Sequence, residues 1–366
     1  MTEAIIKTKL NLPFTRPKLV TRSRLQDLLA QGLRGPLTLV TAPAGFGKTT
    51  LVASYFKSCG MPAAWLSLDP NDNQPERFLR YLVAALKTVD ESIGEQAAQH
   101  LAAPHQIHSE AVLTSLVNDL DETGNQNVLV LDDYQCISSK AVHEQIAFLL
   151  EYCPSTFHIV ITTRSDPMLP LTRLRVRDQM VEIRAADLRF SESETAQFLN
   201  DIMGLRLDAA SISILEERTE GWIAGLQMAA LSMRDREDVV GFIEGFSGTN
   251  RYILDYLLEE VLARQSLEIR NFLLVTSILE GLNTLLCDYL LANDEINGFD
   301  EKDARLQVLL PSEQSASILE FLEKTNLFLI PLDDEGVWYR YHHLFADLLR
   351  SQLRKSLSAA AIDKLH

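Results

Sequence analysis

Over its first half the chain alternates short, continuously apolar runs with longer stretches of helical periodicity. The runs are PLTLVTA (36–42), AAWLSL (63–68), NVLVLDD (127–133), FHIVITTR (157–164) and QMVEIRA (179–185). Between them lie KTTLVASYFKS (48–58), PERFLRYLVAALKTV (75–89), SEAVLTSLVNDLDE (109–122) and HEQIAFLLEY (143–152), where apolar residues recur at helical spacing. Runs that are rich in β-branched residues and apolar throughout predict strands buried on both faces. Strands in alternation with helices predict a parallel sheet with helices on both sides.

After about residue 188 the strand signals stop. FSESETAQFLNDI opens with Ser191 followed three residues later by Glu194, the pairing of a capping box, and predicts a helix start. Helical patterning continues through GWIAGLQMAALSM to DYLLEEVLARQ. From about residue 266 the pattern becomes three helices, LEIRNFLLVTSIL, NTLLCDYLLA and SASILEFLEKT, followed by NLFLIPLDDEGVWYRYHHLF. There DDEG separates two strand-like runs, a hairpin signal, and three helices with a hairpin predict a winged helix. The expected division is residues 1–188, a nucleotide-binding α/β domain, residues 189–264, a helical domain, and residues 265–366, a winged-helix domain. NDEINGFDEKDAR (293–305) reads as a mobile insertion, and AAAIDKLH ends the chain inside a helical pattern without a cap, as in a fragment of a longer protein.

Composition narrows the function classes. With 366 residues and 46% apolar content the chain can bury a large core spread over two or three domains. Its 34 Lys and Arg against 50 Asp and Glu give a net charge of −16, which repels a phosphate backbone and makes this part of a protein a poor DNA binder. The four cysteines, at 59, 136, 153 and 287, lack metal or disulfide spacing and read as core thiols in a reducing compartment. The N-terminus has no apolar core of signal-peptide length and no apolar run reaches 18 residues, so a cytoplasmic protein without a membrane anchor is expected.

The candidate chemistry begins at VTAPAGFGKTT (40–50), where a strand, a glycine-containing turn and a helix succeed one another as in a phosphate-binding loop. Such a site is built mainly from main chain: the turn Pro43, Ala44, Gly45, Phe46 and Gly47, in which every residue except Pro43 offers an N–H, and the helix start, including Thr50. Lys48 would place its ammonium near the β- and γ-phosphates, and Thr49 would give its hydroxyl to Mg²⁺. Ala42 stands where the usual loop has its first glycine, and a methyl group is tolerable there if the backbone angles are ordinary.

Two further elements join it. VLVLDDY (128–134) ends a buried strand in two carboxylates, with Asp132 suited to the Mg²⁺ shell and Asp133 to orienting or deprotonating an attacking water; two solvated loop acids are the plainer alternative. TTRSD (162–166) ends the next strand. If that strand inserts between the other two, Arg164 lies beside the γ-phosphate and can sense it; otherwise it caps the strand or pairs with Asp166. The strip Arg173, Arg175, Arg177 is balanced by Asp178, Glu182 and Asp187 and reads as a salt-bridged surface rather than a nucleic-acid site.

With these residues in place the chain resembles the ATPase core of the LuxR-type large ATP-binding transcriptional regulators, the MalT-like group of the STAND class of signal-transduction ATPases. The likeness is carried by RPKLVTRSRL (16–25), TAPAGFGKTTL (41–51), WLSLDPNDNQPERF (65–78), VLVLDDYQCI (128–137), the stretch 161–191, EGWIAGLQMAALS (220–232) and WYRYHHLFADLLR (338–350). Ala42 is itself similar to the loop of this group. The resemblance implies a P-loop NTPase domain of AAA-like, STAND type followed by helical and winged-helix domains that close over ADP at rest. It implies exchange for ATP when an inducer binds, and self-association on activation. His342 matches the histidine of the group's Y-H-x-L-F signature, which touches the β-phosphate of ADP, with His343 as the second choice. The segment around Val20, Arg22 and Arg24 would lie against the adenine. Where many STAND proteins carry a glycine-x-proline element, this chain has Gly221, Trp222 and Ile223, so Trp222 reads simply as core.

The resemblance further implies a helical-repeat sensor for the inducer and a helix-turn-helix domain for DNA, neither within these 366 residues. The expected function is an ATP/ADP switch with slow hydrolysis, using ATP or ADP and Mg²⁺. The alternative is a STAND protein of defence or signalling with a non-transcriptional output. A metabolic kinase would need an acceptor-binding constellation that the sequence does not display.

Overall fold

The computed structural model describes residues 4–102, 108–234, 236, 238–291, 315–333 and 335–356. Five parallel strands, β1 (Leu37–Thr41), β2 (Ala64–Ser67), β3 (Asn127–Asp132), β4 (Phe157–Thr163) and β5 (Met180–Arg184), form one sheet in the order β2-β3-β4-β1-β5. All five coincide with the apolar runs. β4 lies between β1 and β3, with Leu39 beside Ile161 and Leu131 beside Ile161 on its other side. Every residue of β1, β3 and β4 is buried, which is why these strands are apolar throughout instead of alternating.

Helices Lys48–Cys59, Pro75–Leu86, Ser109–Thr123 and Lys140–Tyr152 fill the gaps. Pro75 starts its helix where the missing N–H costs nothing, and Gly60 ends the first helix in the left-handed conformation. Leu79, Leu82, Leu116, Leu120, Ile146 and Leu149 pack with Leu129, Leu131 and Ile159 in one core. The sequence reading does not single out the helices Ser23–Gly32, Glu95–Ala102 and Leu171–Val176, which are short and bury only two or three residues each.

The chain divides into two compact units, Met1–Ala42 with Gly47–Leu188, and Pro43–Phe46 with Arg189–His366. The second unit opens with the Ser191/Glu194 capping box, in which the Ser191 hydroxyl accepts from the Glu194 amide and the Glu194 carboxylate from the Ser191 amide. Helices Ala209–Thr219, Ile223–Met233 and Arg251–Glu260 follow. Then come Leu267–Thr276, Thr284–Leu291 and Ser315–Lys324, the antiparallel pair β6 (Leu329–Pro331) and β7 (Tyr339–Tyr341), and a closing helix His343–Ser356. Three helices and a hairpin are the winged helix that the pattern predicts; the closing helix lies beyond it. The stretches 293–305 and 359–366, read as an insertion and a fragment end, lie outside the described residues.

Glu220 ties this unit together. It holds a left-handed backbone (φ 49°) and a buried carboxylate. The Arg340 guanidinium on β7 donates to both its oxygens at 2.8 and 2.9 Å, the His343 amide donates at 3.1 Å, and Arg189 lies 3.3 Å away.

Two expectations need correction. The cysteines are not a set of core thiols: Cys287 is buried, Cys136 and Cys153 are half-buried and Cys59 is exposed. The arginine strip is salt-bridged, but with partly different acids. Arg173 pairs with Glu151, and Arg175 with Glu182 and Asp166, while Asp187 pairs with Arg24.

Candidate nucleotide site

Within the first unit, β1 delivers the chain to Gly47, whose left-handed backbone (φ 80°) caps helix Lys48–Cys59 with no side chain closing the helix end. The first-turn amides there carry the positive end of the helix dipole. Lys48 is buried, and its ammonium donates to the Ala42 carbonyl at 2.8 Å. Burial lowers its pKa to about 8, the Arg164 guanidinium adds to the fall, and Asp133 and Asp132 oppose it. These four charged groups are therefore gathered at the C-terminal edge of the sheet, where open α/β sheets bind ligands.

Asp132 ends β3 and is buried; its Oδ1 accepts from the hydroxyls of Thr49 at 2.8 Å and Thr162 at 2.5 Å. Burial raises its pKa, which the two hydroxyls and Lys48 partly offset. The neighbouring Asp133 is exposed, in a left-handed conformation (φ 57°) fixed by its amide donating to Thr162 Oγ1 at 3.1 Å. For an aspartate this conformation is accessible but uncommon. Gln135 bridges the last two elements: its Nε2 donates to Asp133 Oδ1 at 2.8 Å, and its Oε1 accepts the Arg164 amide at 3.1 Å. Gln135 and Thr162 were not singled out in the sequence, although both stand inside the motifs DDYQ and TTRSD.

The adenine candidates fare differently. Arg22 is buried and donates to the Leu188 carbonyl at 2.8 Å, while the exposed Arg24 donates to the Asp187 carbonyl at 2.6 Å. Both guanidiniums thus fasten the chain's start to residues 187–188, and Val20 is half-buried beside them in sequence. Thr50 is exposed on the first turn of its helix.

The loop tip, Pro43–Phe46, belongs by its contacts to the second unit. The Trp222 indole N–H donates to the Ala44 carbonyl at 3.0 Å and the Ala224 amide to the Gly45 carbonyl at 3.2 Å. Phe46 is buried, its ring 6.5 Å from that of Phe328, which in turn lies 5.3 Å from Trp222 and 5.6 Å from His342. His342 Nε2 donates to the Thr219 carbonyl at 2.9 Å, and its Nδ1 is buried without a hydrogen-bond partner among the described residues. Burial lowers the pKa of this ring to about 4. His343 instead exposes its ring.

These residues fit a nucleoside triphosphate with Mg²⁺. Within the first unit, a helix start with no side-chain cap and a buried lysine suit phosphates, and a hydroxyl already paired with a carboxylate suits the metal.

Fold and site together define a P-loop ATPase, and residues 20–162 match the AAA ATPase domain family. Residues 258–361 match the MalT winged helix domain, and the chain is MalT-like over nearly its whole length: it is 33% identical over 365 residues to the HTH-type transcriptional regulator MalT of Yersinia enterocolitica, covering 99% of this chain and 38% of that protein. It is also 35% identical over 344 residues to the serine/threonine-protein kinase PknK of Mycobacterium tuberculosis, covering 92% of this chain and 29% of the kinase. The chain thus spans about a third of the length of these curated relatives. Among solved structures, a Walker-type ATPase of Pyrococcus abyssi shares the fold, with a TM-score of 0.61 at 19% identity over 93% of this chain and 100% of that one. Among the described residues no helix is long and apolar enough to cross a membrane.

Proposed function

We propose that the chain is the ATP/ADP switch core of a cytoplasmic transcriptional activator, holding ADP in a closed resting form and exchanging it for ATP on activation. The observation that carries this reading is the convergence of Lys48, Thr49, Asp132, Asp133 and Arg164 at one sheet edge through the contacts described above. In it Lys48 binds the β- and γ-phosphates, Thr49 and Asp132 hold Mg²⁺, and Asp133, oriented by Gln135, takes the proton of an attacking water. Bound Mg²⁺ would neutralise phosphate charge. Arg164 reads the γ-phosphate, and His342 offers its unpaired nitrogen to ADP. Val20, Arg22 and Arg24 frame the base. Hydrolysis is slow and resets the switch; self-association, inducer binding and DNA binding belong to the whole protein.

Nucleotide should copurify with the protein, with ADP favouring the closed form. Lys48→Ala should abolish ATP and ADP binding in calorimetry, and full-strength binding by that variant would sink the reading. In the same preparation Asp133→Asn should bind nucleotide normally and hydrolyse it about a hundredfold more slowly; an unchanged rate would remove the catalytic assignment.

A second reading keeps the switch and changes the output to defence or signalling without transcription. The specific support is the extent of likeness to PknK, whose name is that of a kinase rather than a DNA-binding regulator. The protein sequence encoded beyond residue 366 in the gene discriminates, because a C-terminal helix-turn-helix decides for transcription.

A further inference from the structure

Trp222 is fully buried, yet its position is dictated by more than packing. Its indole N–H is spent on the Ala44 carbonyl, and the Ala224 amide at the start of helix Ile223–Met233 is spent on the Gly45 carbonyl. In a trans peptide the C=O and the following N–H point in opposite directions. Holding the carbonyls of Ala44 and Gly45 toward residues 222–224 therefore turns the amides of Gly45 and Phe46 the other way. Those two amides belong to the set with which a phosphate loop cradles its ligand.

The surrounding packing leaves the tip no freedom to turn over. Gly45 has φ 78°, and a Cβ added there would come within 2.7 Å of Ala224 Cβ, 2.8 Å of Trp222 Nε1 and 3.0 Å of Tyr256 Oη. Tyr256 and Phe328 flank the indole at 5.6 and 5.3 Å between ring centroids. Phe328 itself holds a left-handed backbone (φ 54°), an uncommon conformation for so bulky a residue, and its ring is the one that meets Phe46. This constellation grips the carbonyl side of the loop tip.

We propose that Trp222 is a positioning residue for nucleotide binding: with the Ala224 amide it fixes two peptide planes of the phosphate loop and thereby sets how long a nucleotide stays bound. The proposal rests on the nucleotide-binding reading above and adds a residue whose one polar atom is spent on the main chain of the loop. Losing one such hydrogen bond should shorten the residence time about tenfold.

The experiment is stopped-flow release of a fluorescent ADP, mant-ADP, from the full chain. Trp222→Phe keeps an aromatic ring and deletes the donor; it should release mant-ADP about tenfold faster than wild type. Phe246→Leu truncates another buried ring of the same unit, one that is in no ring contact with the tip, and should release at the wild-type rate. If Trp222→Phe does not fold, Ala224→Pro removes the other donor at a helix position where no intrahelical bond is lost, and it too should speed release. Release from the donor variant at the wild-type rate, or equal acceleration by Phe246→Leu, overturns the positioning role while leaving nucleotide binding intact. A wild-type chain that binds no mant-ADP overturns both.

Discussion

Lys48 illustrates how much a single residue's chemistry depends on where the fold places it. On the proposed function its ammonium belongs on the phosphates, yet without nucleotide burial and Arg164 bring its pKa down to about 8. Binding a phosphate favours the charged form, so proton and ligand support each other. The sign follows: below pH 8 the lysine is already charged and affinity is flat, whereas above it each binding event must first recover a proton. The ADP dissociation constant should rise about fivefold between pH 8 and pH 9, measurable by calorimetry in buffers of different ionisation enthalpy, and a flat profile across that interval would show that Lys48 does not hold the phosphates. That Lys48, Thr49 and Asp132 come together was legible because the motifs are local and their spacing is fixed by strand and helix geometry. Gln135 and Thr162 escaped because their importance lies in hydrogen bonds to residues about thirty positions away, and Trp222 because a buried indole looks like core until its N–H partner is known.

At the scale of elements, the strands were the most readable features. β1, β3 and β4 are buried on both faces, and that state writes a continuous apolar run into the sequence. Helices with a broad buried face, such as Pro75–Leu86 with seven buried residues, were equally plain. Leu171–Val176 buries only Leu171 and Leu174, too little for a stripe. The junction at Glu220 was invisible for a different reason: nothing in a sequence says that an acid after a helix will meet an arginine 120 residues later. Nearby Arg340 and the His343 amide hold the Glu220 pKa at about 2, against the cost of burial. That carboxylate therefore stays charged throughout the neutral range, and removing its bidentate partner leaves a buried charge with less to compensate it. Arg340→Leu should destabilise the protein by about 3 kcal/mol, read from the urea midpoint at pH 7. A loss of only a few tenths, the level of an exposed pair, would mean that water reaches Glu220.

For the whole molecule, ligand binding should be visible as stability. A ligand that binds only the folded chain stabilises it in proportion to the logarithm of its concentration, about 2.7 kcal/mol at a hundredfold excess over the dissociation constant. ADP with Mg²⁺ should therefore raise the unfolding temperature of the wild-type chain by a few degrees and leave Lys48→Ala unmoved; an equal shift in both would place the binding elsewhere. The overall class was legible from the alternation of strands and helices and the winged helix from three helical patterns followed by a hairpin signal, while the resemblance in motifs supplied what periodicity cannot, a family.

The sheet order carries one more consequence, for the time before the protein is complete. β1, the strand that leads into the phosphate loop, has β4 and β5 as its neighbours and touches neither β2 nor β3. A nascent chain that has emerged only as far as residue 150 thus contains three of the five strands, but the one that matters for phosphate binding has nothing to pair with. One of its hydrogen-bonding edges stays unpaired until residues 157–163 arrive and slip between β1 and β3, and the other until β5 follows at residues 180–184, so that the longest-range contacts close last. The interval in which β1 stands unpaired during synthesis is therefore set by the order of the strands in the sheet.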